Sequence, residues 1–238
     1  MDAELEERVR QRTAELEAQV RELEMVNYAV AHDLRTSLGV MSVNAGMLLH
    51  DLKAQLNEES RRALERIAGN AELAATLLED LQAYSQLMLD SVARAQVAMR
   101  PLVQGAWHRL WRPDSGRQVA FEAGELPDCM GDERMLAQLW TSLISNALKF
   151  TATRAQARIE VGFDAPQVAY FVRDNGVGFD MQHAGRLFGM FERLHRDERF
   201  EGTGVGLALA ARIVRRHKGR IWAIAQPDQG ATFHFTIP

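Results

Sequence analysis

His32 and Asp33 stand side by side in the run Val30-Ala31-His32-Asp33-Leu34-Arg35-Thr36-Ser37-Leu38. A neutral imidazole is a nucleophile, and an adjacent carboxylate can take up the proton that its attack releases. In a helix Val30 and Leu34 share one face and His32 projects away from it, open to a partner. Much further along, Asn146 and Lys149 lie at the end of an apolar, helix-periodic stretch. A carboxamide oxygen there can ligate Mg²⁺, and a lysine three residues on can meet phosphate from the same face. Asp174-Asn175-Gly176-Val177-Gly178 follows directly on a strand pattern. Its carboxylate can accept an exocyclic amine, and its glycines let backbone approach a ligand closely. Two aromatics come next, Phe188 and Phe191, in Leu187-Phe188-Gly189-Met190-Phe191-Glu192-Arg193. Gly202-Thr203-Gly204-Val205-Gly206 then opens a helix, whose free N–H groups and dipole favour phosphate. Singly these signals are weak, since a glycine-rich turn is often only a turn and paired phenylalanines more often pack a core. Their joint occurrence, in this order and behind a His-Asp helix, gives them weight.

The elements that must position these residues fall into two textures. Leu5, Val9, Arg12, Leu16, Gln19, Leu23, Val26 and Val30 follow at alternating steps of four and three, the heptad signature of a coiled coil. The seam continues as Leu34, Leu38, Met41, Ala45, Leu48 and Leu52, with successive steps of four beside His32 that make a stutter. Asp51 to Ser60 reads as a turn with Asn57 or Ser60 as cap, and a second helix is expected from Arg61 to Ala95. Two long amphipathic helices and a short loop make an antiparallel hairpin, and two hairpins related by a twofold axis would close a four-helix bundle. Arg100-Pro101 marks the next boundary. Beyond it come a short helix at Leu102 to Leu110, a strand at Gln118 to Phe121 and a strong helix at Glu133 to Phe150 capped by Asp132. Strands at Arg158 to Phe163 and Gln167 to Val172, a helix at Val205 to His217, and strands at Ile221 to Ala225 and Thr232 to Ile237 complete the pattern. Helices mixed with paired strands predict an α+β sandwich.

Composition excludes more than it selects. The 238 residues are 47% hydrophobic and 25% charged, an ordinary globular mixture. A net charge of -4 makes no general case for nucleic acid or an anionic membrane. The single cysteine, Cys129, cannot form an internal disulfide, which fits a cytoplasmic setting. No apolar run is long enough to span a bilayer. The acidic, helix-like start directly after Met1 reads as a piece excised from a longer chain with an upstream sensor module. The remaining histidines lack an acid neighbour with helical spacing to a base, and no pair shows metal-ligand spacing.

With these motifs in view, the chain resembles the catalytic core of a two-component sensor histidine kinase over nearly all its length. His32 to Leu38 is similar to the H box, Asn146 to Thr151 to the N box, and Asp174 to Gly178 to G1. Phe188 to Phe191 is similar to the F box, and Gly202 to Gly206 to G2. The Phe-Glu-Arg-Leu-His run looks nearest to kinases fed by phytochrome or PAS modules. The resemblance implies a coiled-coil signalling helix (1–26), a dimerisation and phosphotransfer domain (27–96) and a Bergerat-type ATP-binding domain (100–238). It implies that His32 is phosphorylated from Mg-ATP, with Asp33, Arg35 and Thr36 assisting, and passes the group to an aspartate of a receiver domain. Asp33 and Thr36 also match the family's pattern for dephosphorylating that partner. For the nucleotide it implies Asn146 at the metal, with Lys149 and Phe150 beside it, and Asp174, Gly176 and Gly178 at the base. Phe188, Phe191 and Arg193 would lie in a lid, and Gly202, Thr203, Gly204 and Gly206 at the phosphates.

Two positions depart from the family pattern. Ser37 replaces the usual proline of the H box, so the helix keeps a donor and loses a built-in kink. Ser142 stands where the N box often carries a second asparagine, and where gyrase-like ATPases place a water-activating glutamate. The missing acid disfavours ATP hydrolysis as the main activity. Both serines motivate the alternative of a phosphatase-dominant or pseudokinase scaffold.

Overall fold

The computed structural model describes residues 2–53, 55–89, 91–111, 117–192, 200 and 202–238, which form two compact units, Met1–Asp90 and Ser91–Pro238. In the first, α1 (Asp2–Asp51) and α2 (Glu58–Leu89) pack as an antiparallel hairpin. Asn57 caps α2 by accepting the Ser60 N–H at 2.8 Å, and Glu58 and Glu59 complement the positive end of its dipole. α1 runs unbroken through Ser37, whose hydroxyl donates to the Asp33 carbonyl at 3.1 Å.

From Val30 onward the single seam expected along α1 is corrected to two, while the side chains of Leu5, Val9, Leu16 and Val26 lie outside the described residues. Ala31, Arg35, Leu38, Ser42, Ala45, Leu49 and Leu52 are the buried or half-buried positions, and this face meets α2. Val30, Leu34, Met41 and Leu48 lie on a second apolar face that stays about half exposed. Spacing of three and four leaves neighbouring heptad positions equivalent on paper. The register of α2 chooses between them, through polar bonds such as Ser42 to Glu72 at 3.1 Å.

The second unit has two layers. Its elements are β1 (Ala95–Val97), α3 (Met99–Leu110), β2 (Val119–Ala123), β3 (Cys129–Gly131), α4 (Glu133–Phe150), β4 (Ala157–Asp164) and β5 (Ala169–Asp174). A 3₁₀ turn (Met181–Arg186), α5 (Gly206–Arg216), β6 (Ile221–Gln226) and β7 (Gly230–Phe235) follow. Five strands form one sheet in the order β2-β4-β5-β7-β6, with β2 and β4 parallel and the other pairs antiparallel. The helical layer centres on α4, which packs between α3 and α5 and over β4 and β5. Trp140, fully buried on α4, meets Phe235 edge-on at 5.0 Å and Tyr170 at 6.0 Å.

Three expectations change. α2 ends at Leu89 instead of Ala95, and Ala95–Val97 pairs with Cys129–Gly131 as a small antiparallel ribbon. Strands of three residues carry too little alternation to be read from sequence. Pro101 sits inside the first turn of α3 instead of before it, because no intrahelical donor is needed there.

The β4–β5 turn contains Val168, 66% exposed and with φ +51°. A β-branched residue is strained in that region and here gains no burial to offset it. Val168→Gly is expected to stabilise the unit by about 1 kcal/mol, read as a higher midpoint in thermal unfolding. An unchanged or lower midpoint contradicts the strain.

Candidate active site

The nucleophile candidate is accessible. The His32 side chain is 62% exposed, and its Nδ1 lies 3.3 Å from Asp33 Oδ1. Thr36, one turn on, donates its hydroxyl to the His32 carbonyl at 3.1 Å. Arg35 follows buried Ala31 by four residues and therefore shares the face that meets α2. Its guanidinium pairs with Glu79 at 3.5 Å and donates to Gln82. Arg35 thus braces the hairpin behind His32 and is engaged with α2.

In the second unit the candidate residues gather around the C-terminal half of α4. Asp132 caps that helix, accepting the Met135 N–H at 3.0 Å. Ser142, Asn146 and Lys149 follow at helical spacing on one face. Asn146 is half-buried there. Lys149 Nζ lies 4.5 Å from the centre of the Phe150 ring, which is itself 5.3 Å from buried Phe200.

Asp174 ends β5 as a buried carboxylate, 5% exposed. Its Oδ1 accepts the Gly176 N–H at 2.8 Å. A Cβ on Gly176 would stand 2.5 Å from the Phe150 carbonyl, so only glycine lets this loop lie against the end of α4. The Phe150 carbonyl in turn accepts the Val177 N–H at 3.1 Å. Gly178 has φ +58°, and a Cβ there would overlap the Gln226 carbonyl at 1.9 Å. Burial pushes the Asp174 carboxyl up to about 6, opposed by the N–H groups of Gly176 and Ala231 and by the Arg154 charge.

The glycine-rich loop is laid along the same face of α4. The Cβ position of Gly202 is 2.9 Å from Lys149 Nζ. The Val205 N–H approaches Thr203 Oγ1 at 3.4 Å, Gly204 accepts the Phe191 N–H at 3.1 Å, and Gly206 begins α5. Phe191 holds this loop through its backbone while its ring is exposed. Phe188 does not gather with them. It lines a groove of about 700 Å³ with Ala211, Arg215, Ile221 and Trp222. Arg193 lies outside the described residues.

Three contributors have partners that the sequence did not indicate. Arg154 donates to the Gly176 carbonyl at 2.9 Å and the Asp228 carbonyl at 2.8 Å, clamping the loop beneath Asp174. Fully buried His217 accepts the Asp132 N–H on Nε2 at 3.0 Å, with Nδ1 2.8 Å from the Ile213 carbonyl. It thereby ties the end of α5 to the start of α4. Ser142 donates to the Gly206 carbonyl at 2.6 Å. Only a serine one turn before Asn146 could have hinted at that bond.

The architecture has known counterparts. Residues 22–88 match the His Kinase A (phospho-acceptor) domain, and residues 131–238 match the histidine kinase-, DNA gyrase B-, and HSP90-like ATPase domain. Together these domains make a sensor histidine kinase catalytic core. Cyanobacterial phytochrome A of Nostoc sp. PCC 7120 is 32% identical over 228 residues, covering 94% of this chain and 29% of its own length. Adaptive-response sensory kinase SasA of Synechococcus sp. JA-2-3B'a(2-13) is 31% identical over 243 residues, covering 97% of this chain and 63% of its own. This sensor histidine kinase core thus spans about a third of the phytochrome's length. Full-length ShkA in complex with AMPPNP shares the fold with a TM-score of 0.61 at 24% identity, over 88% of this chain and 44% of that one. Among the described residues, no helix is long and apolar enough to cross a membrane.

Burial of Asp174 makes a pH prediction for the kinase core. The folded value of about 6 exceeds the ordinary 3.8, so the folded state holds the proton more tightly than the unfolded chain. Stability therefore falls as pH rises between about 4 and 6, and above that range the buried charge costs about 3 kcal/mol. Asp174→Asn should melt higher than the wild type at pH 8 and lose that advantage at pH 4. Thermal melts across pH decide it; a variant destabilised most at pH 8 refutes the buried-charge account.

Proposed function

We propose that this chain is an ATP-dependent protein-histidine kinase that phosphorylates its own His32 and passes the phosphoryl group to an aspartate of a response-regulator receiver domain. One observation carries the reading: an exposed His-Asp pair on a helix shares a chain with a buried carboxylate, a glycine cradle and a phosphate-ready helix start. Gly176 and Gly178 let the loop after Asp174 pack tightly on the Phe150 and Gln226 carbonyls, which holds the carboxylate in place for a ligand. Asp174, ionised at neutral pH, accepts the exocyclic amine of adenine. Among the described residues no cluster of three or more His, Cys, Asp or Glu is arranged to hold a metal. Mg²⁺ would accordingly be held by the Asn146 carboxamide oxygen together with phosphate oxygens, a usual mode for this ion, and would neutralise phosphate charge.

His32 donates Nδ1–H to Asp33, which leaves the lone pair on Nε2. Nε2 forms the bond to the γ-phosphorus as the bond to the β,γ-bridging oxygen breaks and ADP leaves. Asp33 holds the Nδ1 proton through the step and stabilises the charge that develops on the ring. Lys149 and the N–H groups of the loop at 202–206 orient the phosphates, since positioning does most of the work in phosphoryl transfer. The half-exposed face of Val30, Leu34, Met41 and Leu48 fits a homodimer through the hairpin. Thr36, within one turn of His32, supports a second duty in dephosphorylating the receiver. Ser37 in place of a proline favours, as a second reading, a balance tipped towards that phosphatase activity.

Incubation with γ-labelled ATP and Mg²⁺ should give an acid-labile, base-stable label on the wild type and none on His32→Gln or Asn146→Ala. A wild type that binds ATP without acquiring label would sink the kinase reading. Dephosphorylation of a receiver that fails in Thr36→Ala would then establish the second.

A further inference from the structure

Helical serines and threonines ordinarily return their hydroxyl to the carbonyl four residues back. Thr141 does so at Ala137 (2.8 Å) and Thr151 at Ala147 (2.7 Å). Ser142 instead reaches across to the Gly206 carbonyl of α5 at 2.6 Å. α5 starts from Val205, which makes no side-chain cap bond, so this contact holds a helix start that lacks a cap of its own. A Cβ on Gly206 would stand 3.1 Å from Ser142 Oγ, close enough to press on the serine oxygen. Lys149, seven residues after Ser142, lies beside Gly202. Both ends of the loop at 202–206 are therefore seated on one face of α4, with Asn146 between the two seats.

We propose that Ser142 is a positioning residue whose hydroxyl latches the first turn of α5 to α4, setting the span between the Asn146 carboxamide and the loop N–H groups to suit a triphosphate. The proposal rests on the ATP reading above and deepens it. In place of a second asparagine oxygen, this chain uses a short hydroxyl that donates to the loop's own backbone. The base is held elsewhere, by Asp174, so the latch bears on the β- and γ-phosphates and not on adenosine.

Binding of AMPPNP and of AMP to the full chain, each with Mg²⁺, separates these contributions. Ser142→Ala is expected to weaken AMPPNP about fivefold, the worth of one hydrogen bond, and to leave AMP unchanged. Gly206→Ala alone should also weaken AMPPNP, because its Cβ presses on the serine oxygen. In the Ser142→Ala background it should add no further loss, since that oxygen is gone. Equal weakening of AMP and AMPPNP, no weakening, or additive losses would each overturn the latch. Absence of AMPPNP binding by the unaltered chain would overturn the ATP reading and the latch together. Circular dichroism checks that each variant is folded, and the Gly206→Ala arm carries the test if Ser142→Ala is not.

Discussion

A buried carboxylate is expensive, and the ATP-binding unit is arranged around holding one at Asp174. The Gly176 N–H reaches it from the following loop, and Ala231 supports it from β7. The same loop must pass close to the end of α4, which is why Gly176 has no room for a side chain beside the Phe150 carbonyl. Arg154 and the Asp228 N–H, which donates to Val177 at 2.7 Å, fasten the loop from below. Strand β5, the β6–β7 turn and helix α4 are thereby fixed to a single point. An acceptor held this way is preorganised, so the proposed binding of a base there would cost little further ordering.

The opposite end of α4 is secured by a cluster of hydrogen bonds. Asp132 caps the helix and also accepts the Ala93 N–H at 3.1 Å, while Arg94 donates to the His217 carbonyl at 3.1 Å. His217 joins this cluster from α5. Every group in it has a partner, which is what allows a histidine and an aspartate to sit almost fully buried. The C-terminal end of α4 is finished by Arg117, donating to the Leu148 carbonyl at 3.0 Å and to Thr151 at 2.8 Å. Anchored at both ends, α4 is a rigid bar from which Ser142, Asn146 and Lys149 present one face.

The hairpin solves a different problem. A side chain proposed as a nucleophile must stay accessible while its helix buries enough surface to be stable. α1 manages both by burying Ala31 and Arg35 against α2 and leaving His32 exposed between that face and the apolar face of Val30 and Leu34. Small Ala31 and Ala45 allow close approach of α2, and Arg35 secures the register through Glu79.

What the sequence determined by itself was the type of each long element, the α+β class, and the ordered set of motifs from His32 to Gly206. Helical periodicity, the Asp132 cap and the glycine spacing are local, and local physics is written in neighbouring residues. Tertiary structure alone decided the pairing of Ala95–Val97 with Cys129–Gly131, the split of the α1 seam into two faces, and the separation of Phe188 from the other site residues. It also decided the partners of Arg154, His217 and Ser142, which meet groups 22 to 85 positions away. Such contacts depend on which distant backbone atom a fold delivers to a side chain, and residue type and spacing carry no record of that delivery.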